Sequence, residues 1–393
     1  MFDTLSQLPA DPILGLISQF SQDERSQKID LGVGVYRNTQ GHTPILSAVK
    51  QAEQMLLTSE HTKAYIGPVG DAVFNRSMAE LVLGKQHTAL ERMTMVQTPG
   101  GCGALRVAAE LIKRTHADAT IWVSDPTWGN HIPLLGDAGV TIKTYPYYNF
   151  NDHRLCFEAM FSCLEKVKAG DLVLLHGCCH NPSGTDLNTE HWQALVSLAL
   201  RKGFVPFIDM AYQGFGEGID EDASGFRLMC EQLPEVLLAV SCSKNFGLYR
   251  ERVGAVGVVS AKKAIVESHI ASIVRGIYSM PPSHGAAIVA AILSSEILRP
   301  LWERELGEMR ERIQQVRKEL VSSMNTLGAE GQFDHIARQS GMFSFLGLTE
   351  TAVAALAKDF GIYMVASGRV SLAGLNPSNI NTFCGALNKV RLR

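Results

Sequence analysis

Lys244 is the residue around which chemistry can be built. It lies in Ser241-Cys242-Ser243-Lys244-Asn245-Phe246-Gly247, just after an apolar, strand-like run over residues 236–240, and eight residues before Arg252. Burial disfavours a lysine's charged form, so a buried lysine here becomes a nucleophilic amine able to form an imine with a carbonyl. Ser241 and Ser243 offer hydroxyls and Arg252 a guanidinium fork, the groups that hold a phosphate. An aldehyde carrying a phosphate satisfies both halves, and pyridoxal phosphate is that molecule. Alone, the stretch reads more readily as a surface lysine after a strand, with Arg252 paired to Glu251. The rest of the chain chooses between the two.

Gly100-Gly101-Cys102-Gly103 precedes a helical run that begins at Ala104. A glycine turn feeding a helix offers bare N–H groups at the positive end of the helix dipole, an anion site that would form the other wall of a phosphate cup. Val205-Pro206-Phe207-Ile208-Asp209 ends an apolar strand in a carboxylate. Its charge would keep a pyridine nitrogen protonated and make the ring an electron sink. Tyr212, three residues on, and Asn181, in His180-Asn181-Pro182-Ser183-Gly184, could both bond the cofactor's phenolic oxygen. Trp128 follows another strand and could stack on the ring, with His131 supporting Asp209. Taken singly, each of these is a turn former or a packed core residue. Their joint occurrence favours a site.

The elements that must position these groups follow an α/β pattern. Strand-like runs at 121–124, 141–145, 172–176, 205–208, 236–240 and 255–260 have helical stretches such as 105–114 and 189–202 between many of them. That alternation predicts a mainly parallel sheet, with ligands gathering at the carboxyl ends of its strands. Residues 29–36 read as a strand interrupted by Gly32 and Gly34, and residues 1–10 as an extended arm. A long amphipathic helix is expected over 301–324, with Leu306, Met309, Ile313, Val316 and Leu320 on one face. Strand-like pieces at 342–346 and 362–365 suggest a smaller α+β domain. The expected division is a small domain of 11–43 with 310–393 and a large domain of 44–309.

Composition bounds the function. A chain of 393 residues implies two or three domains. With 46% hydrophobic and 19% charged residues, it is ordinary for a globular enzyme. A net charge of −3 without long basic runs argues against nucleic acid or an anionic membrane as partner. The eight cysteines include no CxxC, so no metal site is expected and reduced thiols fit. Without a signal pattern at the N-terminus, and with no apolar run longer than 286–293, a cytoplasmic location is expected.

Taken together, the lysine stretch, the Asn-Pro-x-Gly turn, Asp209-Met210-Ala211-Tyr212-Gln213-Gly214-Phe215 and Ser367-Gly368-Arg369 resemble the class I, fold-type-I pyridoxal-phosphate aminotransferases. The subgroup is the aspartate/aromatic one, bacterial members resemble the chain most, and the likeness runs from Ala10-Asp11-Pro12 to Arg369-Val370. It implies that Lys244 binds the cofactor covalently and moves the proton, with Asp209 on the ring nitrogen. It also implies Tyr212 and Asn181 on the phenolic oxygen, and Trp128 on the ring face. Gly101, Cys102, Ser241, Ser243 and Arg252 would surround the phosphate, and Tyr65 would reach the phosphate of a partner subunit. Arg369 would clamp the substrate α-carboxylate, a bidentate role for which lysine is no substitute. Gly34 would lie against the substrate, and Arg275 would cross a homodimer interface to bind a side-chain carboxylate.

Three positions depart from the aspartate-type pattern: Ala64 and Met280 stand where asparagines are usual, and Cys102 where threonine is. All three exchange a polar group for a less polar one, which eases entry of an aromatic ring. Val35, Arg37 and Thr43 point the other way, towards aspartate. The resemblance implies ping-pong transamination of aromatic amino acids and aspartate with 2-oxoglutarate. The alternatives are a strict aspartate aminotransferase, a β-lyase or decarboxylase sharing the cofactor, and a ligand-sensing non-enzyme.

Overall fold

The computed structural model describes residues 2–7 and 12–392. Of the expected extended arm, Phe2–Thr4 instead forms a 3-10 turn, and residues 8–11 lie outside the described part. The chain divides into two compact units. The larger comprises Pro44–Arg312 and Gln339–Gly341; the smaller comprises the residues up to Thr43, Ile313–Arg338, and those from Met342 onward.

The larger unit is built on a seven-stranded sheet. Its strands are β1 (Met93–Pro99), β2 (Thr120–Asp125), β3 (Thr141–Pro146), β4 (Leu172–His176), β5 (Val205–Met210), β6 (Val236–Ser241) and β7 (Val253–Val259), in the spatial order β1-β7-β6-β5-β4-β2-β3. Strands β6, β5, β4, β2 and β3 run parallel, whereas β7 is antiparallel to both of its neighbours. The central strands β4, β6 and β7 are buried at every residue, as expected for a sheet covered on both faces. Relevant helices are α1 (Gly100–Thr115), α2 (His131–Gly136), α3 (Thr189–Lys202), α4 (Lys263–Ile277) and α5 (Leu298–Thr326).

Helix α1 packs Ala104, Leu105, Val107, Ala108, Leu111 and Ile112 into the core formed by the sheet strands and α4. Helix α3 begins with a capping box, in which the Asn188 side chain accepts from the His191 backbone and the Asn188 backbone donates to the His191 ring. It ends at Gly203, whose φ of +74° suits only glycine without strain. No single helix among the described residues is long and apolar enough to cross a membrane.

In the smaller unit, β8 (Phe343–Phe345) pairs antiparallel with β9 (Arg369–Ser371). The strand expected over 29–36 is much shorter: only Ile29–Asp30 is strand, paired in parallel with Ile362–Tyr363. Beyond it the backbone bends around packed side chains. A Cβ at Gly32 would meet Leu16 Cδ2 at 2.0 Å, so these glycines mark close approach and not a continuing strand.

Candidate active site

The sheet brings the chemistry-bearing residues to one edge. Strands β2, β4, β5 and β6 run parallel, so their carboxyl ends lie on the same side, and Trp128, His176, Asp209 and Ser241 sit at or just beyond those ends. Because β7 runs the opposite way, its beginning lies on that side too, which delivers Arg252 there. Register fixes neighbours: His176 stands opposite Asp209, and Gly254 stands between Thr98 and Ser241. A cavity of about 180 Å³ opens at this edge. Gly101, Cys102, Trp128, His176, Asn181, Asp209, Tyr212, Ser241, Ser243, Lys244 and Arg252 all line it.

Its anion-binding end depends on glycine. Helix α1 starts at Gly100, so the glycines form its first turn and not a loop ahead of Ala104. Gly100 has φ +71°, and a Cβ there would lie 2.5 Å from Arg252 Nη2; a Cβ at Gly254 would lie 2.5 Å from the Gly100 carbonyl carbon. Arg252 itself has φ +56° and donates to the Tyr249 carbonyl at 3.0 Å and to Ser243 Oγ at 3.5 Å. It bonds within the cup, which answers the alternative of a pairing with Glu251. Asn130 Nδ2 donates weakly to Cys102 Sγ at 3.9 Å.

The Lys244 turn is clamped from behind. Trp302 stacks on Phe246 with ring centres 4.4 Å apart, and its indole N–H donates to the Asn245 carbonyl at 2.7 Å. Lys244 Nζ lies 5.0 Å from the centre of the Tyr212 ring. Burial lowers the proton affinity of Lys244; Asp209 and Cys102 oppose that shift, and Arg252 adds to it.

Asp209 is buried and accepts from His131 Nε2 at 2.9 Å. Burial pushes its carboxyl up, but the hydrogen bond from His131, the neighbouring imidazoles and Lys244 together hold it below the ordinary carboxylate value. An ionised carboxylate only accepts, so His131 Nε2 carries the hydrogen, and Nδ1 faces the Thr127 hydroxyl at 2.8 Å. Thr127 also lies 3.4 Å from His176 Nε2. Burial drives His176 down to about 3. His180, whose proton affinity burial also lowers well below the ordinary imidazole value, bonds Ser124 and Ser183 and stacks on Tyr147. Sequence reasoning named His131 and missed Thr127, His176 and His180. The position of His176 at a strand's carboxyl end was the available signal.

Cys178, Cys179 and Asp222 form a buried cluster with ligand atoms within 4.8 Å of one another. The Asp222 oxygens already accept the backbone N–H groups of Gly214, Gly216 and Glu217, at 2.8 to 2.9 Å. Cys178 is held protonated, by its contact with Cys179 first and by burial second. The cluster reads as a hydrogen-bonded corner that braces the loop after β5.

The profile of aminotransferase class I and II matches residues 26–387. The chain belongs to that family. It is 47% identical to an aspartate aminotransferase of Escherichia coli K12, over 98% of this chain and 99% of that one. It is 46% identical to an aromatic-amino-acid aminotransferase of Pseudomonas aeruginosa, over 99% and 98%. The crystal structure of an aromatic-amino-acid aminotransferase from Burkholderia pseudomallei, covalently bound to pyridoxal phosphate, superposes with a TM-score of 0.97 at 40% identity, over 99% of both chains.

The residues of this aminotransferase fit pyridoxal phosphate, the cofactor of its family, by the chemistry of their donors. Arginine, hydroxyls and a helix start lie at one end of the cavity, an ionised carboxylate lies on another wall, and an amine of reduced basicity stands between. The remaining expected site residues lie elsewhere. Gly34 and Arg369 are in the smaller unit. Tyr65, in the larger unit, is 93% exposed. Arg275 is exposed in the last turn of α4 and bonds Ser279 Oγ, so it keeps a polar partner despite Met280. Arg37 is committed to Asp30 at 2.6 Å.

Proposed function

We propose that this aminotransferase transfers the α-amino group of tyrosine, phenylalanine or aspartate to 2-oxoglutarate, as a cytoplasmic homodimer. Glutamate and the corresponding oxoacid are the products. The observation that carries this reading is the convergence in one cavity of a depressed lysine, a buried ionised carboxylate and a glycine-lined anion cup.

When bound, pyridoxal phosphate supplies an aldehyde that exchanges with amines and a ring that takes up the electrons left at the donor's Cα. Gly101, Cys102, Ser241, Ser243 and Arg252 hold the phosphate. Asp209, braced by His131, keeps a negative charge for the ring nitrogen's proton. Tyr212 and Asn181 donate to the phenolic oxygen, and Trp128 covers a ring face and excludes water. Lys244 would take the proton of the donor's Cα at Nζ and hold it for return on the cofactor side of the nitrogen, a role for which lowered basicity suits it. Arg369 binds the α-carboxylate beside Gly34.

Tyr65 and Arg275 serve the site of the partner subunit. Their exposure supports this, as do exposed apolar residues on the same unit, among them Ile45, Leu57 and Ile277. Aromatic activity is supported by Ala64 and Met280 and by the names of relatives. A strict aspartate aminotransferase is the second reading, supported by Val35, Arg37 and Thr43 and by the aspartate-named relatives.

The test is a half-reaction. Tyrosine, phenylalanine and aspartate are added singly to the purified protein without oxoacid, and the absorbance of the bound cofactor is followed. Rapid spectral conversion by all three is expected. Conversion by aspartate alone would establish the second reading, and no cofactor band after reconstitution would overturn both.

A further inference from the structure

The reading of Arg369 as the carboxylate clamp leaves open what fixes its guanidinium, and the smaller unit supplies an answer. In the antiparallel pair, Phe343 stands opposite Ser371 and Phe345 opposite Arg369. Residues two apart on a strand share a face, so Arg369 meets Phe343 as a diagonal neighbour. The guanidinium carbon lies 4.4 Å from the centre of the Phe343 ring, and Nη2 donates to the Gly32 carbonyl at 2.7 Å. Both side chains are buried, where stacking of a cation on a ring face is strongest.

The ring cannot slide. Its tip is set against the backbone of Gly34, where a Cβ would lie 2.7 Å from Phe343 Cζ. Its own main chain is pinned by the buried Arg317, which donates to the Phe343 carbonyl at 2.7 Å and to the Ile336 carbonyl at 2.8 Å. We propose that Phe343 is a positioning residue for carboxylate recognition: wedged between Gly34 and Arg369, its ring holds the guanidinium plane at one tilt and so fixes how its fork is presented. The absence of a side chain at Gly34 then has a purpose besides leaving space for substrate, since it lets the ring reach its place. The inference rests on the proposed role of Arg369, and the test separates the two.

The readout is the ratio of kcat/KM for phenylalanine to that for phenylalaninamide, which lacks the carboxylate, measured on the holoenzyme with the cofactor absorbance recorded alongside. Arg369→Lys tests the clamp. Phe343→Leu should narrow the ratio about tenfold, through KM for the acid, with the amide rate and the cofactor spectrum unchanged. Gly34→Ala should narrow it as well by pushing the ring aside. In the double variant the two effects should fall short of additive, because leucine leaves room for the new methyl. A ratio lowered by Arg369→Lys but unmoved by Phe343→Leu would overturn the inference alone. A ratio unmoved by Arg369→Lys would overturn the clamp and the inference together. Should Phe343→Leu not fold, an unmoved ratio in Gly34→Ala would be decisive against the inference.

Discussion

Replacing His131 with leucine is the sharpest test of how the pocket holds its negative charge. His131 is fully buried, donates to Asp209 at 2.9 Å and is itself met by Thr127 at 2.8 Å. Leucine fills a similar volume but offers no donor, so Asp209 loses a hydrogen bond to a charged group, worth about 2 kcal/mol, or roughly thirtyfold in a rate that depends on that charge. The sign of the pH effect follows from the balance at Asp209, where burial raises the carboxyl and His131 leads the influences that lower it. In the wild type, the folded carboxyl is depressed, so its contribution to stability is present above about 3.9, the ordinary value, and is lost as pH falls through the lowered one. In His131→Leu burial dominates and the carboxyl rises, so the acid limb of the half-reaction rate should move to higher pH. Thr127→Val should move it in the same direction but less, because Thr127 acts through the imidazole. Stopped-flow half-reactions with aspartate over a pH series measure both limb and plateau. An unmoved acid limb, with a plateau within about twofold of wild type, would refute this account of Asp209.

Lys244→Ala should fold and retain cofactor non-covalently, yet give no transamination without an added amine, as absorbance and product assays would report. The depressed Lys244 binds its proton less tightly folded than unfolded, so wild-type apoprotein should gain stability relative to Lys244→Ala as pH rises from the lowered value towards about 10.4, measured by denaturant titration. Gly100→Ala puts an L-residue at φ +71°, at a cost of about 1–2 kcal/mol, and crowds Arg252. Cofactor affinity measured by absorbance titration of the apoprotein should fall by about tenfold or more. Arg275→Ala should cut kcat/KM for aspartate roughly a hundredfold, because the substrate's side-chain carboxylate loses its cationic partner, and leave phenylalanine within about threefold. Equal losses on both substrates in steady-state assays would remove the selective role.

Much of the larger unit was legible because its strands are short apolar runs bounded by turn residues, the pattern that parallel strands must have when helices cover both faces. The expected strand over 172–176 and helix over 189–202 coincide with β4 and α3. Strand β1 was missed: Met93-Thr94-Met95-Val96-Gln97-Thr98-Pro99 shows no alternation, mixes polar residues into a buried strand and ends in proline. Residues 29–36 read as a strand interrupted by Gly32 and Gly34, whereas the strand stops at Asp30, and Leu16 and Phe343 sit against the two glycines. Those contacts join segments far apart in sequence, and no local pattern carries them. For the same reason Thr127, His176 and His180 went unread. Thr127 and His180 are unremarkable in their own stretches, and although His176 ends a legible strand, only the pairing of β4 with β5 sets it beside Asp209.

The reversal at β7 has the largest chemical consequence of any fold-level feature. In a wholly parallel sheet, the residue preceding a strand would lie at the amino edge, away from the ligand-bearing ends. Running β7 antiparallel between β1 and β6 turns its start to the carboxyl edge, so Arg252 leads into β7 there, and Gly254, two residues on, stands opposite Ser241 of β6. The same reversal sets Gly254 against Thr98 at the end of β1, where the chain enters α1 through Gly100. Three strand ends therefore crowd onto one point, and the crowding explains the glycines. A side chain at Gly254 would strike the Gly100 backbone, and one at Gly100 would strike the Arg252 guanidinium. The anion cup is thus a product of strand direction first and residue type second. An arginine placed before a parallel strand in this sheet could not take part in it.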